Sequence, residues 1–196
     1  MRRSHLKTKF LRVIRRRTND AELGSGQTAI IADTLLSVPE NVYGENYRAH
    51  LLEQYKTYLE MADKISERRS AANTFFLTVN TGLLSAFGIA NFLEQKTSPV
   101  VFIVGGVAAI LLSYSWYRLI RSYRDLNTAK FKVVHEIERY LPVRPYDAEW
   151  EALGRGENKK LYWPFTHIEN YVPWIFMLLY ASVISYSAYW LIKGMT

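Results

Sequence analysis

The sequence predicts an all-α, polytopic membrane protein with three transmembrane helices and a cytoplasmic helical hairpin that is continuous with the first two. Three uncharged apolar runs, 74–93, 99–117 and 172–192, support this prediction. Each holds about twenty residues, which as a helix rising about 1.5 Å per residue crosses the hydrocarbon layer of a bilayer. The remainder of a 196-residue chain is too small to bury three such helices in a water-soluble core.

The second and third runs carry the marks of helix starts and membrane interfaces. Ser98 is a potential N-cap, and Pro99 occupies the first helical position of the second run. The third run has Trp174 near its start and Trp190 near its end, as the aromatic belts at membrane interfaces predict. A cleaved signal peptide is not expected, because no apolar segment follows the basic residues 1–17 until residue 74.

The positive charges predict the orientation of the chain. Of the 25 Lys and Arg residues, all except Lys96 and Lys193 lie before the first run or between the second and the third. The positive-inside rule then places the N-terminus and segment 118–171 in the cytoplasm, and the C-terminus on the periplasmic or extracellular side. We therefore expect a bacterial inner (cytoplasmic) membrane protein.

The cytoplasmic part divides into three predicted segments. Residues 1–44 form a basic N-terminal segment, which is either an interfacial amphipathic helix or a solvated tail. Residues 45–73 hold apolar side chains at helical spacing and no Pro or Gly, so we predict a helix that enters the first span without a break. Residues 118–171 are predicted to be a second long helix, ending before Pro142, followed by an aromatic loop segment that folds against the hairpin.

The residue types argue against catalysis and cofactors. The chain has no cysteine and four dispersed histidines, so neither a thiolate nor a histidine metal site can be assembled from the spacing. His135-Glu136 resembles the start of a zinc-protease motif, but position 139 is Arg where a second His is needed. We predict no enzyme activity, no metal, no cofactor and no nucleic-acid partner. The absence of ionisable residues from the spans also argues against a proton-coupled transporter.

Three groups of residues are candidate functional positions. Polar residues of the first span either line a pore or form interhelical hydrogen bonds: Thr78, Asn80, Thr81 and Ser85. Small residues at four-residue spacing allow close helix packing: Gly82, Ala86, Gly105, Ala109, Ala181 and Ser185. Basic residues near the inner surface are candidates for binding anionic lipid headgroups or a soluble anion: Arg68, Arg69, Arg118, Arg121 and Arg124.

Two stretches, 55–76 (YKTYLEMADKISERRSAANTFF) and 126–176 (from LNTAKFKVVHEIERYLPVRPYDAEW to NYVPWIF), resemble the RipA-like family of octameric bacterial inner-membrane proteins. The resemblance covers about residues 46–180 and implies a homo-octamer without known enzymatic activity. A cytoplasmic helix, two closely spaced spans and a returning helix are more loosely similar to the SLATT effector domains, which are thought to form pores. The third span departs from that two-span pattern.

Two functional hypotheses follow. The first is a non-enzymatic homo-oligomeric membrane assembly that acts as a channel or pore, with polar residues of the first span on its axis. The second is a membrane-anchored scaffold or sensor that binds a protein partner or an anionic ligand through its cytoplasmic part. Arg124, Lys130 and Arg155 would then matter most. In either case the expected partners are further copies of the chain and anionic membrane lipids.

Overall fold

The computed structural model describes residues 26, 29–93, 98–156 and 166–194. These residues are all-helical, with 89% helix and no strand. In chain order the helices are α1 (29–35), α2 (Glu40–Tyr43), α3 (Tyr47–Leu93), α4 (Pro99–Glu138), α5 (Pro145–Ala152) and α6 (Thr166–Lys193). Parts of three predicted regions lie outside the described residues: 1–25, 27 and 28 of the basic segment 1–44, 94–97 between the first two spans, and 157–165 of the aromatic loop segment.

Helices α3 and α4 are the longest elements, with 47 and 40 residues. At about 1.5 Å per residue they extend ~70 Å and ~60 Å. Helix α3 contains no Pro and continues without a break past residue 73, where the sequence predicts the membrane boundary. The chain divides into two compact units, one formed by Met1–Leu59 and Lys130–Glu149, the other by Glu60–Ala129 and Trp150–Thr196.

Two helices among the described residues are long and apolar enough to cross a membrane: α4, and α6 over Glu169–Lys193. Only 28% and 17% of their most apolar windows are buried within the protomer, so most of that surface is available to lipid or to another protomer. The run 74–93 of α3 is not one of these two helices. The first of the three predicted spans stays a prediction.

Helix α6 begins at Thr166, earlier than the predicted start of the third span, so Pro173 lies inside the helix and not in its first turn. Proline has no N–H to donate to the carbonyl four residues earlier, which belongs to Glu169. The Glu169 carboxylate pairs with Arg69 of α3 at 3.8 Å in the same unit. This ion pair links the first turn of α6 to α3.

In the first unit, the beginning of α3 and the end of α4 pack antiparallel. Tyr55 of α3 and Val134 and Ile137 of α4 form the buried centre, and Tyr146 of α5 packs against them. The segment predicted to be loop-rich therefore contains the eight-residue helix α5, which folds against the hairpin. Pro145 at the first helical position favours this helix, because its fixed φ suits a helix start.

Glu138 is the residue on which this packing depends. Its side chain is fully buried, and its carboxylate accepts hydrogen bonds from the backbone N–H of Tyr146 (3.0 Å) and of Asp147 (3.0 Å) and from the hydroxyl of Tyr55 (2.8 Å). The first N–H groups of a helix have no partner inside it, and a carboxylate at that end also interacts favourably with the helix dipole. Glu138, at the end of α4, thereby caps α5.

Burial raises the pKa of the Tyr55 hydroxyl, and the hydrogen bond to Glu138 raises that pKa further. The phenol therefore stays protonated and remains a donor to the carboxylate at physiological pH. Sequence reasoning assigned Glu138 no role and so missed this cap. The short spacing between Glu138 and Pro145 was the available signal.

We predict that Glu138→Gln loosens α5, because an amide offers one acceptor oxygen where the carboxylate offers two, and it turns an NH₂ group toward the donors. The local opening free energy should fall by about 1–3 kcal/mol. Exchange of the amide hydrogens of residues 146–149 in the full chain should then become roughly tenfold faster or more.

Glu149→Gln is the matched control, because Glu149 is exposed on the same helix. Equal exchange protection in the Glu138→Gln protein and the wild type would contradict the capping role.

Candidate functional site

In the second unit, α3, α4 and α6 form a helix trio joined by polar contacts around Asn80. Asn80 is fully buried, and its side-chain amide donates to the Phe76 carbonyl at 2.8 Å. The Ser113 hydroxyl of α4 lies 2.8 Å from Asn80 Oδ1. The Tyr180 hydroxyl of α6 donates to the Asn80 backbone carbonyl at 2.9 Å. We call Asn80, Ser113 and Tyr180 the polar joint.

A second contact reinforces the trio one or two turns away. The indole N–H of Trp116 donates to Asn73 Oδ1 at 2.9 Å, and the Trp116 ring stacks on Phe76 at a 7° interplanar angle. Trp116, Phe176 and Tyr180 belong to one buried cluster. The polar side chains of Asn73, Asn80 and Ser113 are thus paired beside this aromatic cluster.

The four polar residues predicted as one group in the first span lie on two faces of α3. Asn80 faces α4 and α6, whereas Thr78, Thr81 and Ser85 are exposed on the protomer. A helix turns about 100° per residue, so positions two apart face nearly opposite directions. That geometry was the signal in the sequence that separates Asn80 from the other three. We call Thr78, Thr81 and Ser85 the hydroxyl face.

The small residues likewise divide between interior and surface. Gly105 of α4 faces α3, where an added Cβ would lie 2.8 Å from Phe87, and Ala109 is buried. Gly106, which the four-residue spacing rule missed, faces α6, where an added Cβ would lie 2.6 Å from Ile184. Adjacent glycines thus serve two neighbouring helices. The remaining predicted small residues are exposed on the protomer: Gly82, Ala86, Ala181 and Ser185.

The predicted basic cluster is brought together only in part. Arg69 is half-buried beside Glu169, and the Arg121 guanidinium donates to the Tyr117 hydroxyl at 3.2 Å. The other three, Arg68, Arg118 and Arg124, are exposed. Of the two further cations considered, Lys130 lies over the Tyr58 ring at 4.3 Å and Arg155 pairs with Glu151.

We predict a measurable coupling within the polar joint. A double-mutant cycle of Asn80→Ala and Ser113→Ala should give an interaction energy of about 0.6–1.7 kcal/mol, the range for hydrogen bonds between membrane helices. The free energy of unfolding in mixed detergent micelles measures it. A cycle with Ser115→Ala is the control, because the Ser115 hydroxyl is exposed and bonds only within α4, so its coupling to Asn80 should be near zero.

We also predict that Gly106→Ala destabilises the trio, because the added methyl group meets Ile184 at 2.6 Å and a helix must shift. The free energy of unfolding should fall by about 1–3 kcal/mol. At Gly82 an added Cβ meets nothing within 4 Å in the protomer. Gly82→Ala should therefore leave that free energy unchanged or raise it by up to ~1 kcal/mol. The reverse order of effects would argue against this packing.

Comparison with curated proteins gave no match, and comparison with solved structures gave none either. Comparison with protein families gave a match to the octameric membrane protein family (8xMP) over residues 52–189. The matched region is more than half of the chain and contains the polar joint, the hydroxyl face and the Glu138 cap. It confirms the resemblance to octameric membrane proteins found in the sequence. The chain therefore belongs to the octameric membrane protein family, whose members are membrane proteins that self-associate as octamers.

Proposed function

We propose that eight copies of this chain enclose a pore in the bacterial inner membrane and that the hydroxyl face of α3 lines its axis. The family supplies the homo-oligomeric membrane assembly. The proposal adds the conducting axis, the side chains that face it and the third crossing of the membrane by residues 74–93.

The proposal rests on which exposed hydroxyl groups of the helix trio have a hydrogen-bond partner. The exposed hydroxyls of Ser182 and Ser185 on α6 each donate to a carbonyl four residues earlier, at 3.0 Å and 2.8 Å. Within the part of the chain that the structure describes, the hydroxyls of Thr78, Thr81 and Ser85 form no hydrogen bond. A hydroxyl without a partner is costly against lipid and is readily satisfied by water. Such a face therefore favours a water-filled axis over lipid.

The helices that pack against residues 74–93 support the proposal that this stretch crosses the membrane. This stretch carries no charged residue and packs with α4 and α6, the two helices that are apolar enough to span a membrane. A helix held to two spanning helices by buried hydrogen bonds shares their environment. The charge distribution supports a cytoplasmic N-terminus and a C-terminus on the other side.

We further propose that the assembly is non-enzymatic and that anionic lipid headgroups contact its exposed arginines. Arg118 and Arg124 follow the predicted second span on the cytoplasmic side, where anionic headgroups attract juxtamembrane cations. The same exposure favours the second candidate function, a scaffold or sensor whose basic surface binds an anionic partner.

Cysteine labelling tests the pore directly, because the natural chain has no cysteine. In octamers reconstituted into liposomes, Thr81→Cys should react with a water-soluble thiol reagent at least about tenfold faster than Val104→Cys, because only a hydrated thiol ionises and reacts readily. Val104 is an exposed apolar residue of α4 and serves as the lipid-facing control. Modification of Thr81→Cys should also reduce ion flux.

The double substitution Thr78→Leu/Thr81→Leu should lower flux by about tenfold or more, because an apolar constriction loses its water. Ser115→Leu is the matched substitution on α4 and should leave flux unchanged. Wild-type octamers that give no flux above empty liposomes, with Thr81→Cys as unreactive as Val104→Cys, would exclude the pore and favour the scaffold or sensor.

A further inference from the structure

A cavity opens between the three helices of the trio. It has a volume of about 670 Å³. Its lining comes from the second half of the predicted first span (Phe87, Gly88), the start of α4 (Phe102) and the end of α6 (Tyr186, Ser187). The volume lies within the roughly 300–1,000 Å³ of known ligand pockets.

The cavity exists because small residues stand where the helices could otherwise close. Gly88 has no side chain, and an added Cβ there would meet nothing within 4 Å. Ser182 and Ser187 contribute only short side chains to the lining. Aromatic pairs form part of the walls: Phe87 of α3 meets Phe102 of α4 edge to face at 5.9 Å, and Tyr186 meets Trp190 within α6 at 6.3 Å.

The lining chemistry fits a hydrocarbon chain. Aromatic and aliphatic side chains form most of the wall, with a few serine and tyrosine hydroxyls among them. Water is held in a cavity only where several polar groups can bond it, whereas an apolar chain needs no such partners. An apolar occupant is therefore favoured over water.

The position of the cavity identifies the source of such a chain. Trp190 lines it near the end of α6, and Lys193 Nζ lies 5.1 Å from the Trp190 ring centroid. Tryptophan and lysine at the end of a spanning helix are typical of the headgroup level. A lipid with its headgroup at this level can extend an acyl chain inward along the cavity.

We propose that this cavity binds one acyl chain of a membrane phospholipid in each protomer, at the end of the trio away from the cytoplasm. The site binds the acyl chain of the lipid and does not select among headgroups. The proposal rests on the proposed membrane crossing by α3 and on its orientation, but not on conduction.

Native mass spectrometry of octamers purified from vesicles of phosphatidylglycerol and phosphatidylethanolamine tests it. After a delipidating detergent wash, the wild-type octamer should keep up to one phospholipid per protomer. Gly88→Leu fills the cavity and should retain about tenfold less, because the leucine side chain takes the space of the acyl chain. Ala108→Leu is the matched control, since Ala108 is exposed on α4 outside the cavity, and should retain lipid as the wild type does.

Equal lipid retention by the Gly88→Leu octamer and the wild type would overturn the site. So would a retained mass equal to detergent alone, or electron microscopy density showing a neighbouring protomer's side chain in the cavity. Ser182→Leu provides a second filled cavity if Gly88→Leu does not assemble, because the Ser182 hydroxyl bonds only within α6. Lipid retention without ion flux would refute the pore and keep the lipid site, and flux without retention would do the reverse.

Discussion

In the proposed arrangement of three membrane-spanning helices, the helices receive little hydrophobic drive toward one another, because lipid is as apolar as their side chains. The hydrogen bonds of the polar joint hold these helices to one another. Asn80 brings an amide and a backbone carbonyl to one point, Ser113 meets the amide from α4, and Tyr180 meets the carbonyl from α6. Asn80 Oδ1 and the Tyr180 hydroxyl would lose their partners if the helices moved apart, so the joint favours one set of facing helix surfaces. The positions of the hydroxyl face and of the proposed lipid site depend on that choice.

The sequence was sufficient to predict the helices because their signals are local. Uninterrupted apolar spacing predicted α3 and α4 as long helices, and Pro99 marked the start of α4 where the structure has it. The family resemblance rested on residues inside the matched range. Helix existence depends on the residues of the helix itself, so it can be inferred without knowing its neighbours.

The positions of side chains could be predicted only in part. Asn80 and Thr78 are both polar residues of one predicted span, so composition does not distinguish them. The turn of the helix places them on different faces, and the positions of α4 and α6 decide which face is buried. Gly106 was missed because the four-residue rule describes one packing interface, and Gly106 serves a second. Helix α5 was missed because its cap lies outside the helix, on Glu138.

The two units satisfy buried polar groups by different means. The helix trio uses neutral amide and hydroxyl groups, which can be paired at membrane depth at moderate cost. The first unit buries a carboxylate and satisfies it with three donors, two of which are backbone N–H groups. Three donors satisfy the acceptor oxygens of this buried carboxylate, which would otherwise lose their hydrogen bonds to water. The types of buried polar group thus agree with the proposed environments of the units.

The Glu138 cap also limits how this chain can change in length over evolution. Residues 139–144 connect the end of α4 to Pro145, the first residue of α5. They must place the backbone N–H groups of Tyr146 and Asp147 within hydrogen-bond distance of the Glu138 carboxylate. Surface loops generally tolerate insertions at little entropic cost. This one is tied at both ends to the same side chain, so a single inserted or deleted residue would misalign the donors. Among homologous chains, we expect length variation to accumulate elsewhere and this connection to keep its length.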